Sequence, residues 1–206
     1  IFEENGIVFH FISDKKYRLG KWFFYRKHLQ NYINSVVKKE KIDAIEAPDW
    51  TGVTAFMNFT VPLVIRFHGS DTYFCHIEKR KQKFKNRLFE TLAVRKAKGF
   101  IAPTKYAGEV SAELFGLHKE QIKTIHYGLD LTQFNNELPE RFEKGLILYI
   151  GTIIRKKGVF ELPEIFNKVK NQFPEAKLVL IGGDSGDVAT GNKSTWELVK
   201  QQFHEK

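Results

Sequence analysis

The chain has 206 residues, 42% of them apolar and 19 of them phenylalanine, which is material for one large core or two small ones and excludes a disordered polymer. A net charge of +9 suits an anionic partner, whether nucleic acid, acidic lipid or a phosphorylated small molecule, without choosing among them. The single cysteine, Cys75, excludes an internal disulfide and points to a reducing cytoplasm, and no run of ~18 apolar residues exists that could span a membrane as a helix.

The first residue is Ile1, the only methionine is Met57, and Glu3, Glu4 and Asn5 interrupt any signal-peptide pattern. These features lead us to expect a piece of a longer protein. Residues 6–12, almost continuously apolar, read as a strand buried on both faces. Trp22, Tyr25, Leu29, Ile33, Val36 and Val37 recur at steps of three and four, an amphipathic helix with Arg26, Lys27, Lys38 and Lys39 on its wet side. Residues 42–46 form the next strand, and Pro48-Asp49-Trp50-Thr51-Gly52 turns into a helix over 53–58. The apolar run 63–67, preceded by Pro62, is a buried strand of a parallel sheet. A long basic helix follows over 78–98, with Phe84, Leu88, Phe89 and Leu92 on its apolar stripe.

Residues 100–102 are a short strand, Thr104 is placed to cap the helix that follows, and 122–125 is another strand. Over 131–144 the periodicity lapses, which marks a linker and two domains, 1–135 and 136–206. The alternation then restarts with a strand at 146–150, a loop at 151–158 and a helix at 159–173 whose Pro163 fits only the first turn. A strand at 177–181 and a helix at 196–203 complete it. Strands alternating with helices twice over imply an α/β protein of Rossmann-like, doubly wound units with mainly parallel sheets. The second unit is short for a lone core, and its two strands leave sheet edges unpaired. We therefore expect docking on the first unit or a homo-oligomer formed through those edges.

Two stretches carry candidate chemistry. His68, Ser70 and Asp71 crowd around Gly69 at the carboxyl end of a strand, where open α/β sheets bind ligands. The plainer alternative is a hydrogen-bonded His68 and an Asp71 that caps the next segment. In the second unit, Gly151-Thr152-Ile153-Ile154-Arg155-Lys156-Lys157-Gly158 joins a strand end to a helix start with three consecutive cations, an arrangement suited to an anion. The alternative there is a basic surface loop with ordinary turn glycines. It is neither a P-loop nor a dinucleotide fingerprint. The seven histidines form no H-E-x-x-H and one cysteine builds no thiolate site, so no metal is expected. Lys79, Arg80, Lys81, Lys83, Lys85 and Arg87, with Phe84 among them, are either a solvated face or a contact with an anionic membrane.

Phe67-His68-Gly69-Ser70-Asp71 resembles the H-G-x-D segment of group-1 (family four) glycosyltransferases, which have the two-domain GT-B fold. Ile101-Ala102-Pro103-Thr104 resembles their i-x-x-S segment, and Lys123 to Asp130 with Phe134 resembles the N-G-v-D end of their first domain. Gly151 to Gly158 resembles G-R-L-x-x-x-K-G, and the strand ending in Gly182-Gly183 resembles the l-x-i-v-G that follows it. All of these fall in family order. The resemblance implies a partial GT-B architecture and a hexosyltransferase-type enzyme. Such an enzyme moves a sugar from a nucleotide-sugar donor to a sugar or lipid-linked acceptor, with retention of configuration and with no metal or other cofactor. By position, His68 and Asp71 are the implied catalytic residues, His68 near the donor sugar in the cleft. Gly151, Thr152, Arg155, Lys156 and Lys157 are implied to bind the donor, Lys157 on its diphosphate.

The chain departs from the family pattern at two positions. Thr152 stands where the diphosphate-binding arginine is usual, leaving Arg155 or Lys156 to compensate, and Tyr127 stands where N-G-v-D has asparagine. The family's Gly-rich loop and paired glutamates are not in these residues, so the piece is expected to be inactive alone. A nucleotide-sugar 2-epimerase of the same fold should lack the ordered H-G-x-D and K-G pair. A basic nucleic-acid-binding module should show a recognised motif, and none is present, so nucleic acid is not an expected partner. The implied location is the cytoplasm, at the inner face of the membrane if the acceptor is lipid-linked.

Overall fold

A computed structural model describes residues 1–203; residues 204–206 of the expected second domain lie outside it. The chain divides into two compact units, one of residues 1–129 and one that begins at Asp130.

The first unit opens with a hairpin. β1 (Phe2–Glu4) pairs antiparallel with β2 (Ile7–Phe9), Phe2 lies opposite Phe9, and every residue of both strands is exposed. This corrects the doubly buried strand expected over 6–12. Asn5 and Gly6 both take positive φ, 53° and 76°, as the tight primed turn of a two-residue hairpin requires. The turn folds the chain back on itself, and Phe2 stacks on Phe9 at 4.7 Å instead of entering a core.

α1 (Lys21–Glu40) ends at Lys41, whose left-handed backbone returns its N–H to the carbonyl of Val37. Lys38 and Lys39 occupy its last turn, where cations favour the helix dipole. Arg26 and Lys27 are not on the wet side. Arg26 Nη2 donates to the carbonyls of Thr51 and Gly52, each at 3.2 Å, and Lys27 Nζ donates to that of Phe56 at 2.6 Å. The two cations clasp the loop after β3 (Ile45–Pro48), where the sequence predicts a helix over 53–58. The loop holds only a 3-10 turn over Trp50–Gly52, and no regular helix continues from it, because Thr51, Gly52 and Phe56 have φ of 58°, 54° and 64°. Its carbonyls turn away from any regular ladder, and the cations of α1 meet them.

The sheet of the first unit has four parallel strands in the order β3–β4–β5–β6, with β4 at Leu63–Arg66, β5 at Gly99–Ala102 and β6 at Ile122–Thr124. Leu63, Ile65 and Phe67 alternate onto one face and are at most 4% exposed. Fully burying side chains such as Ile65 and Phe67 contributes about 1.5–3 kcal/mol each. Phe67 stacks on Phe100 at 5.9 Å and on Phe115 at 6.0 Å. Phe115 comes from α4 (Lys105–Phe115), and α3 (Phe84–Lys96) adds Val94 to the same core. Thr104 caps α4 as the sequence predicts, its hydroxyl accepting the N–H of Ala107 at 3.1 Å. The basic helix expected over 78–98 begins only at Phe84, as α3; α2 (Asp71–Ile77) precedes it, and residues 78–83 between them are a turn in which Lys79 has φ 51°.

In the second unit β7 (Leu146–Ile150) and β8 (Lys177–Ile181) form a two-stranded parallel sheet, joined through α5 (Leu162–Gln172), with Pro163 in its first turn. Ile153, Val159 and Val199 form a small core against which Tyr149 and Leu180 lie, Val199 coming from α6 (Thr195–Lys200). The alternate positions Leu148, Ile150, Val179 and Ile181 are exposed, and on the other face Tyr149, Leu178 and Leu180 are half-buried while Ile147 stays exposed, so this sheet is partly covered on one face. Residues 131–144 hold no helix or strand. The fold class is α/β with parallel, Rossmann-like sheets. Among the described residues no helix is long and apolar enough to cross a membrane.

Gly52 tests the clasped loop. A Cβ there would lie 2.2 Å from the backbone carbonyl carbon of Phe89, at a φ that L side chains avoid, whereas a Cβ on left-handed Gly116 meets nothing within 4 Å. Gly52→Ala should therefore cost at least about 2 kcal/mol and Gly116→Ala only about 1 kcal/mol, read from urea midpoints. Equal losses would mean that the loop gives way without resistance.

Candidate active site

The polar residues of the first unit collect where the parallel strands end, the edge at which such sheets bind ligands. The backbone donors leaving β4 are satisfied in order. Asp49, the residue after β3 and 1% exposed, accepts the N–H of His68 at 3.0 Å and of Gly69 at 3.3 Å. Glu90 of α3, fully buried, accepts the N–H groups of Asp71 at 2.9 Å and Thr72 at 3.0 Å, and the Thr72 hydroxyl at 2.6 Å. The Ser70 hydroxyl accepts from Tyr73 N–H at 3.1 Å, so Ser70 and not Asp71 is the cap of α2. Gly69 has φ 115°, and a Cβ on it would stand 2.7 Å from the Phe74 ring. Burial pushes the Asp49 carboxyl above its ordinary pKa; the two N–H groups oppose this without cancelling it, and the charge of Glu90 adds to the rise.

His68 and Asp71 leave this turn in different company. His68 is exposed, its Nδ1 lies 2.6 Å from Tyr127 Oη, and the two rings stack at 5.8 Å and 11°. With Nδ1 engaged, Nε2 is the ring nitrogen that can meet a ligand. Asp71 accepts from Arg80 Nη2 at 2.8 Å and Asn86 Nδ2 at 2.9 Å. Burial acts to raise its pKa, but the hydrogen bonds from Asn86, Arg80 and Cys75 outweigh it and hold the carboxyl below its usual range.

In the second unit the 151–158 loop leaves β7 with Gly151 N–H bonded to Ile181 O at 2.8 Å and Ile153 N–H to Gly183 O at 2.9 Å. Lys157, exposed on a 3-10 turn over Arg155–Lys157, reaches back across the loop. A Cβ on Gly151 would come 3.2 Å from its Nζ, so the ammonium stands over bare backbone. Thr152 is exposed, and its carbonyl accepts from Tyr149 Oη at 3.0 Å. Arg155 is committed elsewhere. Its guanidinium grips Asp187 with two bonds of 2.8 and 2.7 Å and lies 4.0 Å from the centre of the Phe160 ring. Arg155, then Thr190, hold the Asp187 carboxyl well below the usual carboxylate range, although burial opposes this. Lys156 is exposed on the same turn. Among the described residues no group of three His, Cys, Asp or Glu could hold a metal ion.

Sequence reasoning did not single out Asp49 or Glu90. Both left a signal: Asp49 directly follows a strand on the same edge as His68, and Glu90 is an acid within the apolar stripe of a helix. Tyr127, a departure from the family pattern, proves to be the partner of His68.

A parallel α/β sheet with its built polar turn at the carboxyl edge is the design of a ligand-binding Rossmann-like domain. The family model described as Glycosyltransferase Family 4 matches residues 2–133, and the chain belongs to that family. Its activity is of the glycosyltransferase type. No curated protein matches the chain.

Asp49→Asn keeps one acceptor oxygen but turns an NH2 group toward the second N–H of the turn. That should cost about 1–3 kcal/mol and shift the His68 and Gly69 amide resonances. The Asp49 pKa is raised on folding, so its contribution falls as pH rises from about 3.9 through the folded value, and the asparagine variant should lack that decline. Asp187 has the opposite sign. Its folded pKa is depressed, so its contribution is present above about pH 4 and is lost as pH falls further. Thermal melts of Asp187→Asn should then show less acid sensitivity than wild type below pH 4.

Proposed function

We propose that the protein transfers a sugar from a nucleotide-sugar donor to an acceptor with retention of configuration. The observation that carries this reading is the placement of Lys157 Nζ over the side-chain-free backbone of Gly151, at the carboxyl end of a parallel strand. An ammonium beside bare backbone is suited to a diphosphate, which needs close approach and a positive charge together. As the bond between the sugar carbon and the diphosphate oxygen breaks, negative charge grows on the leaving phosphate, and Lys157 is the group that meets it. The acceptor hydroxyl oxygen then bonds to the same face of the sugar, and its proton passes to the leaving diphosphate oxygen. The missing family arginine at Thr152 is not replaced by Arg155, whose charge Asp187 already takes, so Lys157 carries most of the diphosphate load, with Lys156 beside it. His68, presented through Nε2, acts on the donor sugar, and Asp71 serves the site by holding the α2 start against Arg80 and Asn86.

In the whole protein Lys157→Ala should lower kcat/KM about ten- to a hundredfold, as loss of a hydrogen bond to a charged group of about 1.5–3 kcal/mol implies. Lys157→Arg should recover part of it, and His68→Ala should lower kcat. The measurement is nucleoside diphosphate release across a panel of nucleotide-sugars. Unchanged kcat/KM for Lys157→Ala would remove this lysine from the mechanism.

A further inference from the structure

The basic segments of the first unit are far apart in sequence, and the fold joins two of them. One precedes α1, where Lys15, Lys16 and Arg18 are exposed and Leu19 is 81% exposed. The other opens α3, where Lys81, Lys83 and Lys85 are exposed and Phe84 is 80% exposed. A run of rings connects them. Tyr17 stacks on Phe24 at 5.7 Å, Phe24 meets Phe23 at 5.6 Å, and Phe23 meets Trp22 at 5.9 Å. Trp22 in turn abuts Phe89 at 5.3 Å, and Lys85 Nζ lies 5.5 Å from the Phe89 ring centre. Two arginines of the 79–87 cluster are taken out of it. Arg80 pairs with Glu78 and Asp71, and Arg87 donates to the carbonyl of Leu114 and lies over Phe115.

We propose that this joined face seats the protein on an anionic lipid surface. Leu19, Trp22 and Phe84 would enter the boundary between headgroups and acyl chains, and the flanking lysines would meet the lipid phosphates. The charge of the face is complementary to such a surface. Its projecting apolar groups argue against a nucleic-acid backbone, which would take the cations and leave Leu19 in water. The Phe84 and Leu19 side chains pack on little, so their exposure costs nothing in the fold and gains only when an apolar medium meets them. No residue of the face belongs to the His68 turn or the 151–158 loop, so its failure and that of the donor chemistry would be told apart.

The test is sedimentation of the full chain with vesicles of phosphatidylcholine alone and of phosphatidylcholine mixed with phosphatidylglycerol. Retention should favour the anionic vesicles by at least about tenfold, since each cation near the surface multiplies binding roughly fivefold. Lys16→Glu with Lys85→Glu should abolish the preference. Leu19→Ser with Phe84→Ser should lower the retention that survives high salt, where charge is screened, and leave the melting temperature unchanged. Equal retention on both vesicle types, or retention indifferent to both double variants, would overturn the proposal. So would release of the protein from anionic vesicles by stoichiometric single-stranded RNA, which would reassign the face to nucleic acid.

Discussion

Where a strand of a parallel sheet ends, its backbone donors lose their partners, and at the end of β4 two buried carboxylates take them over. Asp49 holds the N–H groups of His68 and Gly69, Glu90 holds those of Asp71 and Thr72, and the Ser70 hydroxyl holds that of Tyr73. A buried N–H without a partner costs about 1–3 kcal/mol, so these acceptors determine the path of the turn. The path places the His68 ring against Tyr127 and turns Asp71 toward Arg80 and Asn86. The two carboxylates are near enough that Glu90 raises the Asp49 pKa, a cost the donors around them offset.

The cations of the chain divide between structural and open positions, which net charge cannot show. Arg26, Lys27 and Lys96 donate to carbonyls of the loop after β3, and Arg66 makes a two-bond pair with Glu46. Arg155 does the same with Asp187. In the loop the physical cause is its left-handed residues, which point carbonyls away from any ladder, and long side chains from neighbouring helices reach them. The second unit uses glycine for a related purpose. A Cβ on Gly182 would stand 1.9 Å from the Gly151 carbonyl oxygen, so the ends of β7 and β8 approach each other through bare backbone.

Much of the architecture was legible in sequence, because it rests on local chemistry. The apolar runs at 63–67, 146–150 and 177–181 became strands, the Thr104 hydroxyl capped α4, and Pro163 took the first turn of α5. The H-G-x-D segment and the others that follow it in order as far as residue 133 pointed to the family that the chain belongs to. The Asn5-Gly6 hairpin was equally legible, and the strand expected over 6–12 overlooked a turn signal present in the residues.

What local chemistry cannot specify is which donor meets which acceptor across the chain. Asp49 and Glu90 became the anchors of the His68 turn because the parallel register and the packing of α3 bring them there from 19 and 18 residues away. Arg26 and Lys27, polar by composition and outward by periodicity, turned inward because the loop they face has carbonyls to satisfy. Sequence by itself determined the α/β class, the family and the glycines that bare backbone requires, since each follows from residue type and spacing. Tertiary structure decided that Arg155 serves Asp187 while Lys157 covers Gly151, because only the folded loop sets the distances over which a charge is satisfied.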